Sequence, residues 1–509
     1  MDALDDLLGG FAMLAGDPQA MFFTILAAFV GIVFGALPGL TASAAIAMLL
    51  PLSFYLGPLP ALAFLYVIGK SGRYGGSIAA ILFNTPGTAA SAATMMDGHP
   101  MAKRGQPNRA LRTATVASVF GDYVGEIILI FGAVWIAQYT RTFGPTEYFA
   151  IYAMAFVVIG SVVGKSVTKG ILSVLLGALV ALIGTDVITN TPRLTFGSQD
   201  LRDGLSLVPL LIGVFVISEI IIQAERMGKE VVVDAGLADH HKGDRLTFGE
   251  VRRLIPLLFR SSMMGSVIGM MPGLGSSVAC FVAYGEEKRR APNRDDWGTG
   301  VIEGIAAPES ANNAVSGPSM IPLLTLGVPG STVAAVLIGV FLIHGIQVGP
   351  LLFSDQNMII TDAGDFFSSR ELIFALFAAG LVGIAAYGLM GFWGGPLIGK
   401  TIARVPPKYL YPFIFLTAVA ASYSARASIL DVAIALLFGV IGYGMRRTDF
   451  SAAAFVIAFV LADRMEESFR QALLLSDDGV FIFLREPLAG AFLLTGLVVL
   501  VLRAISTSR

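Results

Sequence analysis

The stretch GALPGLTAS at residues 35–43 returns as GMMPGLGSS at residues 269–277, and each copy is followed downstream by a second Pro-Gly step, FNTPGTAAS at 83–91 and LGVPGSTVAA at 326–335. All of these steps interrupt hydrophobic runs. In a bilayer, Pro and Gly free backbone N–H and C=O groups that lipid cannot satisfy, so a break persists only where protein, water or a ligand completes the bonding. Matching interrupted segments in the two halves of a chain are the sequence mark of a transporter's binding site. The chain therefore reads as an internal repeat built around broken membrane segments.

Composition agrees with that reading. Of 509 residues 55% are hydrophobic and 14% charged, with a mean hydropathy of +0.76; an ordinary soluble domain carries roughly 25% charged residues. This is the make-up of an all-α polytopic membrane protein. The net charge of -2 supplies no basic field for nucleic acid. Cys280 is the only cysteine, so neither an internal disulfide nor a multi-cysteine metal site is expected, and its apolar surroundings suit a small core residue. Asp2, Asp5, Asp6 and Asp17 occupy an N-terminus without Lys or Arg, which lacks the positive region of a cleavable signal, so the first hydrophobic run is expected to be retained.

Apolar runs fall near residues 21–36, 40–57, 59–70, 113–139, 146–163, 171–185 and 206–223. A second set falls near 255–269, 272–285, 301–311, 371–395, 409–421, 428–442 and 449–461, with one further run at 488–502. Several are shorter than the ~20 residues a helix needs to cross a bilayer, which points to half-helices. Between the third and fourth runs of each set lies a pair of short apolar arms, 75–96 and 317–345, hinged at Pro86-Gly87 and Pro329-Gly330. Each pair reads as a re-entrant hairpin.

Loop charge orients the halves, because Lys and Arg near span ends favour the cytoplasm. Lys103, Arg104, Arg109 and Arg112 follow the first hairpin, whereas Asp355, Asp362 and Asp365 follow the second. An odd number of spans per set then inverts the second repeat, placing the acidic N-terminus outside and the hairpins on opposite faces. The expected organisation is a first repeat over 1–223, a cytoplasmic linker over 224–254, an inverted second repeat over 255–470, and a C-terminal extension over 471–509 with one more transmembrane helix. His240-His241 in the linker has no helical i, i+4 partner and reads as a solvated pair rather than a metal site.

A broken helix presents free N–H groups and partial positive charge at the start of its second half, which suits an anion; the carbonyl end of its first half suits a cation. Small polar side chains stand at each break: Thr41 and Ser43, then Asn84, Thr85 and Thr88 beside Gly87, then Ser276 and Ser277, then Ser331 and Thr332 beside Gly330. These are the expected substrate-binding residues, although small residues also let membrane helices pack closely. Glu309, Ser310, Asn312 and Asn313 precede the second hairpin and Thr325 lies on its first arm, and they form the ion-coupling candidates. Glu309 is suited to carry a coupling proton or ligate sodium, since ionisable groups inside membranes are costly and functional. Lys70 and Arg73, before the first hairpin, are suited to attract a carboxylate or to snorkel from the cytoplasmic end of a span. No GxxxxGK[ST], HExxH or GxSxG in its proper setting occurs, so an ATPase or hydrolase is not expected and no cofactor beyond Na+ or H+ is implied.

The segments PGLTASAAIAMLLPLSF, GKSGRYGGSIAAILFNTPGTAASAATMMDGHPMAKRGQPNRAL, MMPGLGSSVACFVAYGEEKR and APESANNAVSGPSMIPLLTLGVPGSTVAAVLIGVFLIHGIQVGP closely resemble the large membrane subunit of tripartite tricarboxylate transporters, and the similarity runs through nearly the whole chain. The resemblance implies a bacterial inner-membrane permease with elevator-type architecture. It also implies a small membrane subunit and a periplasmic solute-binding protein as partners, with carboxylates imported on a cation gradient; tricarboxylates, dicarboxylates and aromatic acids all remain open, as does a homodimer. The competing reading is a stand-alone carrier or passive anion channel that needs no binding protein.

Overall fold

The computed structural model describes residues 3–37, 40–162, 166–186, 188–226, 244–354, 358–360, 366–403 and 407–507. Prolines and short polar caps set where its helices begin. Helix α1 (Ala3–Gly16) passes into α2 (Pro18–Ala36) at Asp17, whose side chain accepts the Ala20 N–H at 2.9 Å while Pro18 opens the helix. The Pro38-Gly39 step lies outside the described residues, and α3 (Ala42–Leu49) follows with Thr41 as its cap. Then come α4 (Pro58–Phe83), α5 (Ser91–Lys103), α6 (Pro107–Thr140), α7 (Pro145–Val162) and α8 (Val167–Ala181). A short antiparallel pair, β1 (Gly184–Thr185) with β2 (Pro192–Arg193), leads to α9 (Leu207–Leu211) and α10 (Ser218–Arg226), joined by a π-helical turn over Ile212–Ile217.

The second half starts with α11 (Phe248–Gly269), closed at its N-terminus by a capping box between Thr247 and Glu250. It continues through α12 (Gly275–Arg290), α13 (Ile302–Ala314), α14 (Ile321–Leu326) and α15 (Thr332–Ile343). The antiparallel pair β3 (Met358–Ile360) and β4 (Phe366–Ser368) precedes α16 (Ser369–Ala403), and α17 (Pro407–Ser424), α18 (Ile429–Arg447), α19 (Ala452–Leu474), α20 (Ile482–Arg485) and α21 (Pro487–Thr507) complete the chain. Seven segments among the described residues are long and apolar enough to cross a membrane: α2, α6, α7, α9 to α10, α16, α18 and α21.

Two boundaries differ from the sequence expectation. The run at 59–70 and the first arm of the hairpin at 75–96 are one continuous helix, α4. GKSGRYGGS, between and across those two bounds, carries Lys70, Arg73 and four glycines, yet every residue of α4 up to Leu82 is buried among other helices. Glycine there serves close packing: a Cβ at Gly75 would stand 2.5 Å from the Ile32 carbonyl oxygen of α2. The last part of the expected linker, from Phe248 onward, is the first turn and more of α11. Residues 227–243, including His240-His241, lie outside the described residues, as do Asp355, Asp362 and Asp365.

Around α4 stand α2, α5, α6, α13 and α16. Helix α13 is nested between α6, α11 and α12, and a Cβ at Gly125 of α6 would come within 2.7 Å of the Ala314 carbonyl oxygen. Packing crosses between the halves in a reciprocal way: α6 lies on α13 and α16 on α4, while α8 lies on α19 and α18 on the π-helical turn and α10. Helix α21 packs on α7 and leaves Leu494, Leu497 and Leu502 exposed.

Candidate functional site

Hydroxyls bond backbone N–H groups at three of the breaks, as helix caps before α3 and α15 and as a bracing pair before α5. At the start of α3, Thr41 Oγ1 accepts the Ala44 N–H at 3.2 Å and lies 3.0 Å from Ser43 Oγ. Ahead of α5, Thr88 and Ser91 bond reciprocally, Ser91 Oγ accepting the Thr88 N–H at 3.0 Å and Thr88 Oγ1 accepting the Ser91 N–H at 3.2 Å. At the start of α15, Ser331 Oγ accepts the Ala334 N–H at 3.2 Å. Helix α12 differs: no side chain caps it, and the turn leading in uses Gly273 and Gly275 at φ of 88° and 69°, a conformation that glycine adopts without strain. The Gly273 N–H reaches the Gly330 carbonyl at 3.4 Å, which ties the break before α12 to the break before α15.

These helix starts meet at a cavity of about 320 Å³. Thr41 and Ser43 line it from α3, Thr88 from the break before α5, Ser276 and Ser277 from α12, and Gly330, Ser331 and Thr332 from the break before α15. Arg73 of α4 and Asn312 of α13 complete its polar wall, and Ile457 of α19 closes an apolar side. Arg73 is 7% exposed, its Nε has no hydrogen-bond partner, its Nη1 donates only to the Asn312 carbonyl at 3.4 Å, and among the described residues no carboxylate pairs with it. Asn312 is 1% exposed, and neither its Oδ1 nor its Nδ2 has a partner among the described residues. Buried polar groups are ordinarily satisfied. A guanidinium and an amide left open at the wall of one cavity are what an anionic, hydrogen-bonding ligand would complete.

The other predicted residues stand elsewhere. Asn84 is exposed at the C-cap of α4 with φ of 54°, Thr85 Oγ1 donates to the Phe83 carbonyl at 3.1 Å, and neither lines the cavity. Asn84 occupies a left-handed position that asparagine tolerates, so its residue type answers to backbone conformation. Gly87 is a close-approach residue, where a Cβ would lie 2.8 Å from the Gly76 Cα. Thr325 donates to the Ile321 carbonyl within its own helix at 2.7 Å. Ser310 fastens α13 to α11 through the Leu258 carbonyl at 2.8 Å and Ser262 Oγ at 2.7 Å, and Asn313 Nδ2 donates to the Glu309 carbonyl at 3.0 Å.

Glu309 is fully buried outside the cavity wall, in a cradle of hydroxyls. Ser77 of α4 donates to it at 2.5 Å, Thr94 of α5 donates to the same oxygen, and Ser118 of α6 donates to the other at 2.9 Å. No cation pairs with it among the described residues. Lys70, equally buried, does not snorkel: its Nζ lies 2.7 Å from Asp122 Oδ1 and 2.8 Å from Glu126 Oε2. The ammonium is therefore occupied by the protein's own carboxylates and is not available to a substrate.

Asp122, Glu126 and Asp97 are buried residues that the sequence reading passed over. The first two sit one helical turn apart inside the run at 113–139, and acidic residues in a hydrophobic run were the available signal. Asp97 of α5 accepts the N–H groups of Gly298, Gly300 and Val301 at 3.0, 2.8 and 3.0 Å and the Tyr284 hydroxyl at 2.9 Å. It caps the start of α13 from outside, and only tertiary structure reveals that. A larger cavity of about 1020 Å³ lies where α1 meets α16; its walls hold Asp5, Asp6, Asp17 and Glu371, and its Arg370 pairs with Asp6. Such walls oppose an anion, so the smaller cavity is the stronger candidate.

A model of the tripartite tricarboxylate transporter TctA family matches residues 21–457. The chain is 32% identical over 516 aligned positions, covering 100% of it and 98% of the relative, to an uncharacterized 52.8 kDa protein in the TAR-I ttuC' 3' region of Agrobacterium vitis. It is 33% identical over 247 positions, 48% of this chain and 96% of the relative, to an uncharacterized protein in the TAR-II ttuC' 3' region of the same organism. No solved structure matches.

Proposed function

Because the chain belongs to the tripartite tricarboxylate transporter TctA family, a family of membrane transporter components, we propose that it is the large permease subunit of a binding-protein-dependent secondary transporter that imports carboxylates on a sodium or proton gradient. The observation that carries this reading is Arg73, a buried guanidinium without a carboxylate partner among the described residues, facing the cavity where the starts of α3, α12 and α15 and the break before α5 meet. In this reading one substrate carboxylate pairs with Arg73, and the hydroxyls of Thr41, Ser43, Thr88, Ser276, Ser277, Ser331 and Thr332 serve the remaining oxygens. Helix N-termini favour negative charge by roughly 0.3–1 kcal/mol each at an exposed site, so the guanidinium is the larger contribution.

The two halves act as inverted repeats in this account. Reciprocal packing of α6 on α13 and α16 on α4 supports that arrangement, as does the opposed charge of the loops after the two hairpins. Elevator-type movement would then carry the cavity between the faces of the bacterial inner membrane, with the N-terminus periplasmic. Glu309 is the coupling candidate, a buried carboxylate that accepts from three hydroxyls and pairs with no cation among the described residues. The test is uptake into proteoliposomes holding this chain with its small membrane subunit, fed by liganded periplasmic binding protein. Uptake that collapses with the sodium or proton gradient and requires the binding protein is expected. Uptake indifferent to both gradients, or undiminished without the binding protein, overturns the proposal in favour of a channel or a stand-alone carrier.

A further inference from the structure

Where α4, α6 and α16 meet, three ionisable groups share one fully buried space. Lys70 Nζ bridges Asp122 Oδ1 at 2.7 Å and Glu126 Oε2 at 2.8 Å and sits 4.8 Å from the centre of the Tyr66 ring. Tyr66 donates its hydroxyl to Glu126 Oε2 at 2.8 Å, and Tyr387 of α16 donates to Asp122 Oδ2 at 3.1 Å. All three ionisable side chains have no exposed surface. With both carboxylates ionised, the group would hold one ammonium against two negative charges. Arg73, one turn further along α4, lines the cavity and makes no ion pair with either carboxylate, and its charge acts on Asp122 rather than on Glu126; Tyr123 of α6 turns its hydroxyl to the Leu381 carbonyl. An uncompensated charge in such a place is strongly unfavourable, and the ordinary resolution is that one group neutralises.

The hydrogen bonds say which group. Both oxygens of Asp122 accept from donors, one from the ammonium and one from Tyr387, which favours its ionised form. Glu126 Oε2 accepts from the ammonium and from Tyr66, but Glu126 Oε1 is buried without any partner among the described residues. That oxygen faces α16 at Gly380, where an added Cβ would run into it; glycine leaves the room the oxygen uses. A metal cation does not fit this vacancy, since hard cations take about six oxygens and the site offers a single open one. A proton needs only one.

We propose that Glu126 is a proton-binding site, held as the neutral acid with its hydrogen on Oε1 beside an ionised Lys70–Asp122 pair. The claim concerns charge balance at the contact of α4, α6 and α16, and it stands or falls independently of what the cavity transports.

Infrared spectroscopy of the full chain in lipid nanodiscs at neutral pH tests it without any transport assay. The difference between wild type and Glu126→Gln should show the loss of one protonated-carboxyl C=O band, while Glu309→Gln leaves that band in place. Loss of ionised-carboxylate bands alone in Glu126→Gln overturns the proposal. Should Glu126→Gln fail to assemble, Tyr66→Phe removes a hydrogen bond to the carbonyl oxygen Oε2 and is expected to shift the same band to higher frequency. A Tyr66→Phe spectrum with that region unchanged overturns it as well.

Discussion

Lys70 and Arg73 stand three residues apart on the same helix and are both buried, yet the protein treats them in opposite ways. Lys70 is closed in by Asp122, Glu126 and the Tyr66 ring. Arg73 has one long bond to a carbonyl and otherwise faces the cavity. In sequence the two were equivalent, each suited to snorkel or to attract an anion. Tertiary structure separates a residue that holds helices together from one that lines a cavity with no carboxylate partner among the described residues.

Removing Lys70 is expected to have the largest effect on the folded protein. Lys70→Met leaves two buried carboxyls without their cation, and breaking a buried pair from one side costs about 3–5 kcal/mol. Thermal unfolding in detergent should show that loss, and Lys70→Met with stability equal to wild type would erase the distinction between the two residues. Arg73→Gln should behave in the opposite manner. Assembly is expected to survive, because only one long bond to the Asn312 carbonyl is lost and no buried carboxylate loses its partner, while substrate affinity falls roughly 10–100-fold for the loss of a charged hydrogen bond worth about 1.5–3 kcal/mol. Uptake as a function of substrate concentration measures it.

Smaller effects refine the comparison. Glu309→Gln is expected to shift the cation concentration for half-maximal uptake about tenfold, on the scale of one charged hydrogen bond, with solute affinity moving less. A shift in solute affinity alone would reassign Glu309 to the cavity. Asn84→Ala is expected to cost about 1 kcal/mol of stability through its left-handed backbone and to leave uptake within about twofold, whereas Thr332→Ala removes a cavity hydroxyl and lowers affinity more. Equal transport losses in the two variants would mean that the tip at Asn84 reaches the ligand.

Much of this arrangement was legible in the residues. Pro-Gly steps are conspicuous in hydrophobic runs because their backbone groups need partners, and the hydroxyls beside them were therefore readable as cavity-lining: Thr41, Ser43, Thr88, Ser276, Ser277, Ser331 and Thr332 all reach one space. Asn84 and Thr85 carried the same local signal but turn away. Side-chain direction past a left-handed residue depends on backbone geometry that spacing does not encode. Asp122 and Glu126 went unread for a different reason. Their role depends on Lys70, fifty-two positions from Asp122 in the chain, and a pairing of that separation is set by helix packing. Asp97 is similar: it caps α13 about two hundred residues away.

The central claim is that ligand occupies the space between the breaks and is held there by Arg73. It is tested most directly by thiol protection in a Cys280→Ala background, which removes the only native cysteine. Single cysteines at Thr332 and at Asn84 are reacted with a small water-soluble maleimide, with and without the carboxylate released from the cognate binding protein. The account predicts that the carboxylate slows modification of Thr332→Cys at least several-fold, leaves Asn84→Cys unaffected, and gives no protection once Arg73→Gln is added. Equal rates at Thr332→Cys with and without the carboxylate, or protection that persists in Arg73→Gln, would contradict it.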